Sequence, residues 1–174
     1  MKVLVAVPHA ISSTDVVAAS FAIHLYRRML TGGIDAVDVV FGDVDRRDID
    51  LESRAGRGTA FRRRLTSYVG VNDVLLIDVH SMKRVRGFPD WFVVDTPPHK
   101  DTFTDLFCDV SGQGRHAFSN EDNDLAYSWE RSGQPALMIE VMNDTSDERR
   151  REIADEIVRC LEIVFGVIRR NRRC

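Results

Sequence analysis

The stretch VLLIDVHSMKR, residues 74–84, decides the fold, because it combines a continuous apolar run with a cluster of polar residues at its end. A run that does not alternate between apolar and polar residues is typical of a strand covered on both faces, as in parallel sheets. Asp78, His80 and Ser81 lie where this strand is predicted to end. Such a cluster forms either a turn or a functional site, and the rest of the chain decides between the two.

Outward from this strand, the sequence predicts strands and helices in alternation. Strands are predicted over 3–7, 35–44, 74–79, 90–96 and 135–144, and helices within 13–33, 57–70, 103–107 and 146–168. This order is typical of a single α/β domain, with three layers in which helices cover both faces of a mostly parallel or mixed central sheet. We expect the first, third and last of these strands to be central, because they are the most apolar.

Local signals mark the ends of the predicted helices. One of the residues 13–15 can cap the first helix, which ends at the Gly-Gly pair 32–33. Thr145 and Glu148 have the spacing of a capping box before the last helix. Residues 99–135 are rich in glycine, asparagine, aspartate and serine, and we expect them to form loops over the site with one short helix.

The composition is that of an ordinary globular protein, since 44% of the 174 residues are hydrophobic and 29% are charged. The net charge of −3 gives no basic excess, so neither nucleic acid nor a membrane is expected as a partner. The 3 cysteines lack metal or redox spacing, and the chain begins with a strand rather than a signal peptide. A cytoplasmic location is therefore expected, and the sequence leaves open whether the protein forms a homo-oligomer.

Unusual polar residues accompany the three most apolar strands. His9 follows the first, His80 ends the third, and Glu140 lies in the last. Since ligands bind at the carboxyl ends of strands in open α/β sheets, these side chains are expected to converge. Each alone has a simpler explanation, as a histidine in a turn or a glutamate facing solvent. Glu140, however, shares its face with Met138 and Met142, and a carboxylate on an apolar face needs a reason.

Two histidines and a carboxylate are typical of hydrolytic zinc sites. Neutral imidazole is a good ligand for Zn²⁺, and a catalytic site has three protein ligands and a position for water. The ion activates the water, while a separate carboxylate moves the proton to the leaving nitrogen. Asp78 either orients the His80 ring or caps a turn, and both alternatives stay open. Ser81, like Asp78, is predicted to contact the metal ligands rather than the metal itself.

Four short motifs resemble those of the N-formylglutamate amidohydrolases in order and spacing: VAVPHA (5–10), DID (48–50) with an arginine close by, LIDVHSM (76–82) and PALMIEVMND (135–144). That family consists of zinc hydrolases related in fold to the carboxypeptidases and succinylglutamate desuccinylases. The resemblance implies a single domain of this kind over 1–174, and one zinc ion held by His9 and His80, with Glu140 as the catalytic carboxylate. It also implies a small-molecule substrate, an N-acylated acidic amino acid that loses a formyl or small acyl group.

Two positions depart from the family pattern. Where the family has Asp-x-Asn-Arg, this chain has DLES at 50–53, with Arg54 one position later. Where the carboxypeptidase class has an acidic ligand three residues after the first histidine, this chain has Ser12, and Asp15 is the nearest acid downstream. Asp15 as the third zinc ligand and Asp15 as a plain helix cap both stay open.

A substrate carboxylate needs a cationic partner, and the planar fork of arginine suits it. Arg54 is the first candidate because it is closest to the family's motif arginine, and Arg47 lies in the same segment. Arg115, in the predicted loop region, is a third candidate. The segment SNEDND, 119–124, resembles the family's acidic substrate loop, which makes Asn120 a candidate substrate contact.

Two other functions stay open. The same residues would serve a metallopeptidase that cleaves γ-glutamyl or similar bonds. The departures at 50–54 and at Ser12 also allow a binding protein that kept the fold and lost turnover. A thiol dyad of Cys108 and His116 is not favoured, because no third group or oxyanion turn accompanies it.

Overall fold

The computed structural model describes residues 2–11, 17–34, 36–43, 48, 51, 54–69, 74–95, 102–117, 125, 129 and 132–171. Within this part of the chain, six strands form one sheet: β1 (Lys2–Val7), β2 (Val37–Phe41), β3 (Val74–Met82), β4 (Trp91–Asp95), β5 (Arg115–Ala117) and β6 (Ala136–Met142). The helices over the same residues are α1 (Ala18–Thr31), α2 (Ala60–Thr66), α3 (Thr102–Ser111) and α4 (Asp147–Asn171), and a 3₁₀ helix (Arg54–Gly58) precedes α2. None of these described helices is both long and apolar enough to cross a membrane.

The sheet is mixed, with the strand order β2-β1-β3-β6-β4-β5. Strands β1, β2, β3 and β6 run parallel, whereas β4 is antiparallel to β6 and parallel to β5. The predicted central strands are confirmed, since β1, β3 and β6 occupy adjacent inner positions. The predicted α/β class with a mixed sheet is confirmed as well.

Different helices cover the two faces of the sheet. Alternate side chains of the central strands, such as Val5, Ile77 and Ile139, pack with α1, α3 and α4 in one apolar core. The side chains on the other face, such as Leu4 and Leu76, pack with α2 in a second core. This arrangement gives the three predicted layers and leaves the carboxyl ends of β1, β3 and β6 as the place where polar side chains collect.

The starts of α4 and α1 differ from the predicted ones. The cap of α4 is Ser146, whose Oγ accepts the backbone N–H of Arg149 at 3.1 Å, so the predicted capping box at Thr145 is wrong. Serine and threonine are both good cap residues, and the backbone path chooses between these neighbours. Helix α1 begins only at Ala18, and its predicted caps at 13–15 lie outside the described residues.

The middle of the chain has more regular structure than the sequence predicts. Helix α3 extends well beyond 103–107, and β5 adds an edge strand of 3 residues where loops were expected. Strand β3 also runs further than predicted, to Met82, so His80 and Ser81 lie within the strand. The polar cluster at 78–81 is therefore not a turn.

Asp90 joins three segments on the surface. Its carboxylate accepts hydrogen bonds from Arg84 Nη2 at 2.8 Å and from Arg149 Nε at 3.0 Å, which links the segment after β3 and the start of α4 to the start of β4. The hydrogen bonds from Arg84 and then Arg149 lower the pKa of Asp90 from its usual 3.8. Because the pKa is lower in the folded protein, the stabilisation is present above that usual value and is lost as pH falls through the folded-state pKa.

We expect Asp90→Asn to lower the free energy of unfolding by about 1 kcal/mol near neutral pH, the upper end for partly exposed ion pairs. At an acid pH well below 3.8 the difference between the parent and the variant should be smaller, because protonation of Asp90 weakens the pairs. Urea unfolding at both pH values measures this, with Asp109→Asn, at an exposed carboxylate of α3, as the control. An equal loss of stability at both pH values would contradict the electrostatic explanation.

Candidate active site

The candidate site lies at the carboxyl ends of β1, β3 and β6. Helix α1, which follows β1, and helix α2, which follows β2, lie on opposite faces of the sheet. Where connections leave a sheet toward opposite faces, they diverge and open a crevice that binds ligands in α/β proteins. His9 comes just after β1, and His80 lies near the end of β3, so both are placed at this crevice.

His9 and His80 meet there as two buried imidazoles. Their ring centroids are 5.4 Å apart in an edge-to-face arrangement. Only 1% of His9 and 4% of His80 is exposed. Two imidazoles that share a tetrahedral zinc ion have centroids roughly 5 Å apart, because each Zn–N bond is about 2 Å long. The observed separation therefore fits two ligands of a single ion.

Asp78 orients the ring of His80. The Nε2–H of His80 donates to Asp78 Oδ1 at 3.2 Å, and Asp78 is fully buried on the same face of β3. A carboxylate on one ring nitrogen fixes the tautomer and the direction of a metal-binding histidine. Since Nε2 bonds to the carboxylate, Nδ1 is the nitrogen of His80 that a metal would take.

Glu140 lies beside His80 in the sheet. The two residues are partners in the parallel register of β3 and β6, and Phe92 of β4 is the partner of Glu140 on its other side. Glu140 is half-buried, and a small apolar cluster that includes Met138, Met142 and Phe92 lies on the same face. The sheet thus places a carboxylate next to the histidine pair, within reach of a molecule bound between them.

A catalytic zinc site needs three protein ligands, and the described residues bring together two imidazoles that could serve as ligands. Among these residues, no group of three His, Cys, Asp or Glu side chains could hold a metal ion. The predicted third ligand, Asp15, lies outside them, and its role stays a prediction. The pair of imidazoles, with Asp78 behind His80, is nonetheless a donor set that suits zinc.

The other predicted site residues lie elsewhere or outside the described chain. Ser81 is buried, but strand alternation turns it to the face opposite His80. Arg115 forms an ion pair with Asp105 of α3, on the side of the core that contains α1, α3 and α4. The residues that lie outside the described part are Arg47, Asn120 and the side chain of Arg54.

Arg62 is a buried arginine that sequence reasoning missed. Only 6% of it is exposed, and its Nη1 donates to the backbone carbonyl of Leu51 at 3.2 Å. Within the run of three arginines at 62–64 it resembles surface charge. Its spacing of three residues from Leu65 is the available signal, because residues at that spacing share one side of a helix.

An aromatic cluster borders Glu140 on the side of β4. The centroid of the His116 ring lies 4.9 Å from that of Phe88 and 5.0 Å from that of Phe92. Cys108 instead packs against the core on the opposite face of the sheet, and burial raises the pKa of its thiol. Cys108 and His116 therefore do not form a thiol dyad.

Solved structures of low sequence identity share this architecture. A gene product of Agrobacterium tumefaciens matches with a TM-score of 0.73 at 14% identity, over 97% of this chain and 92% of that chain. A metallo-carboxypeptidase from Burkholderia cenocepacia matches with a TM-score of 0.65 at 12% identity, over 96% of this chain. An N-acetylmuramyl-L-alanine amidase from Mycobacterium smegmatis matches with a TM-score of 0.54 at 14% identity, over 95% of this chain and 97% of that chain.

These likenesses define the class of fold. The chain has an α/β fold that a metallo-carboxypeptidase and an N-acetylmuramyl-L-alanine amidase also have, and it spans 58% of the length of that carboxypeptidase. No protein-family model and no curated protein matches the sequence. The particular resemblance to N-formylglutamate amidohydrolases therefore stays a prediction from the motifs.

Proposed function

We propose that this protein is a zinc-dependent hydrolase of amide bonds. The observation that carries the proposal is the convergence of His9 and His80, 5.4 Å apart between ring centroids, with Glu140 as the register partner of His80. The fold agrees with it, since similar structures include one named a metallo-carboxypeptidase and one named an N-acetylmuramyl-L-alanine amidase.

Each residue has a distinct role in the proposed reaction. A zinc ion, when bound, would supply Lewis-acid chemistry at the scissile carbonyl and at the attacking water. His9 and His80 provide imidazole nitrogens for the ion, and Asp78 keeps the His80 ring oriented. Glu140 takes a proton from the attacking water and delivers it to the leaving nitrogen.

The proposed substrate is a small N-acylated acidic amino acid, from which a formyl or other small acyl group is removed. The motifs at 5–10, 76–82 and 135–144, which resemble those of the N-formylglutamate amidohydrolases, support this class of substrate. An acidic substrate needs a cationic partner, and the candidates Arg47 and Arg54 lie in the segment between β2 and α2.

A hydrolysis panel with and without a chelator tests the proposed function. Protein purified without added metal is incubated with N-formyl and N-acetyl derivatives of glutamate, aspartate and leucine, and with γ-glutamyl dipeptides. We expect amine to be released fastest from the acidic N-acyl amino acids, because an arginine can hold their side-chain carboxylate, which the leucine derivatives lack, in a bidentate pair. Dialysis against a chelator should abolish release, and added Zn²⁺ should restore it.

Other outcomes of the panel replace the proposal with a stated alternative. Cleavage confined to the γ-glutamyl dipeptides would identify a metallopeptidase. Binding of glutamate or of a substrate analogue in calorimetry, without hydrolysis of any compound, would identify a binding protein. Hydrolysis that is unchanged after chelation would contradict the zinc mechanism itself.

A further inference from the structure

Gly42 lies where β2 meets the segment that carries His9. It follows β2 directly, and its backbone N–H donates to the carbonyl of Val7, the last residue of β1, at 2.8 Å. The two neighbouring strands are thereby joined at their carboxyl ends, immediately before Pro8 and His9. Gly42 is itself buried.

The backbone of Pro8 leaves no room for a side chain at position 42. A Cβ atom at position 42 would collide with the carbonyl oxygen of Pro8 and lie 2.7 Å from its carbonyl carbon. These two atoms belong to the peptide unit that joins Pro8 to His9. Because they are backbone atoms, no side-chain rotation can move them aside, and the peptide unit would have to shift.

Leu51 crowds the same position. The same Cβ atom would lie 2.7 Å from Cδ1 of Leu51, which is fully buried in the core beneath α2. The backbone carbonyl of Leu51 accepts the hydrogen bond from the buried Arg62. The backbone of Leu51 is therefore anchored and its side chain lies in a packed core, so a side chain at position 42 would also disturb that packing.

We infer that Gly42 is a positioning residue for His9. The inference rests on the proposed function, in which His9 is a zinc ligand. A side chain at position 42 pushes away the peptide unit that joins Pro8 to His9, just after β1. The His9 imidazole then no longer contacts that of His80. Metal ligands must be held within about 0.5 Å of their productive positions. Moving the Pro8–His9 peptide unit far enough to relieve the collision exceeds that tolerance.

Gly42→Ala is the variant that tests this, and Gly32→Ala is its matched control. A Cβ atom at Gly32, just after α1, would also be crowded, at 2.7 Å from Glu162 Oε1 and 3.1 Å from the carbonyl of Arg28, but it lies on the α4 side of the sheet. Both variants should unfold at lower temperature than the parent. Only Gly42→Ala should change the histidine pair.

Two readouts separate positioning from stability. The first is the NOE between the ring protons of His9 and His80, recorded without metal on histidine-labelled protein; we expect it to persist in Gly32→Ala and to disappear in Gly42→Ala. The second is zinc affinity from competition with a chromophoric chelator. Gly42→Ala should bind zinc roughly 10–100-fold more weakly than the parent, as when an outer-shell partner is lost, and Gly32→Ala should match the parent.

The two readouts also distinguish the inference from the function on which it rests. If Gly42→Ala keeps the NOE and the parent's zinc affinity, the positioning role is overturned and the proposed function is untouched. If His9→Ala binds zinc as tightly as the parent, the proposed function is overturned, and the NOE alone decides whether Gly42 places His9. Should Gly42→Ala be partly unfolded, the spectra are recorded in sucrose, because an excluded osmolyte favours the compact state.

Discussion

Glu140→Gln is expected to lower turnover by about 10²-fold or more, the usual effect of losing a general acid–base group. Glutamine has nearly the same shape as glutamate, so the variant should fold like the parent and keep its packing beside Phe92 and Met142. It cannot accept a proton from water at neutral pH, which removes the proposed step. Metal content should stay that of the parent, because Glu140 is not assigned as a ligand.

The matched control for Glu140→Gln is Glu156→Gln. Glu156 is also half-buried, and its Oε2 accepts a hydrogen bond from Trp91 Nε1 at 3.3 Å, but it belongs to α4 on the other face of the sheet. Steady-state rates and elemental analysis of both variants and the parent are the measurement. If Glu140→Gln loses zinc while remaining folded, Glu140 is a metal ligand and the roles assigned to it and Asp15 are exchanged. A variant as fast as the parent would overturn the mechanism.

The central part of the fold could be predicted from the sequence because its signal is strong. The run from Val74 to Ile77 is apolar without interruption, and Val79 continues it after Asp78, as in a strand buried on both faces; all of these residues are buried in β3. The apolar stripe of the last helix, at Ile153, Ile157 and Leu161, likewise lies in the core. In both cases burial leaves few choices of residue, so the pattern determines the structure.

The edge of the sheet could not be predicted in the same way. Strand β5 has only 3 residues, too few for period-two alternation to be distinguished from a loop. The antiparallel direction of β4 depends on how the chain returns after Met82, which no local pattern specifies. The cap of α4 depends on a choice between Thr145 and Ser146, and local chemistry favours both.

Residues of the candidate site could be predicted where a polar side chain occurs within an apolar strand. His80 and Glu140 are conspicuous because polar groups in apolar strands need partners. Residues that act through shape left no such signal. Gly42 carries no mark within the strand predicted over 35–44 until the carbonyl of Pro8 is seen against it, and Arg62 resembles surface charge until its burial is seen. Contacts between segments distant in sequence carry most of this information, and the spacing of Arg62 from Leu65 is the one trace of it in the sequence.

His80→Ala is expected to bind no zinc when zinc and protein are present at equal concentrations. The loss of zinc affinity should exceed the roughly 10–100-fold caused by removing a residue that contacts a metal ligand. The variant removes the only described imidazole that lies against His9 and also leaves the buried carboxylate of Asp78 without the N–H that it accepts at 3.2 Å. The variant loses this buried hydrogen bond, so it should also be less stable than the parent.

The control for His80→Ala has to separate loss of the metal from loss of stability. His24→Ala serves this purpose, because the Nε2 of His24 pairs with Asp147 Oδ1 at 2.8 Å, between α1 and the start of α4, on the face of the sheet away from the site. Adding Asp78→Asn to His80→Ala replaces the buried carboxylate that lost the His80 N–H, so the double variant should recover part of the stability without recovering zinc. Equal zinc content in His80→Ala and the parent would eliminate the metal assignment. Zinc regained together with stability would mean that His80 supports the fold around a metal held by other residues.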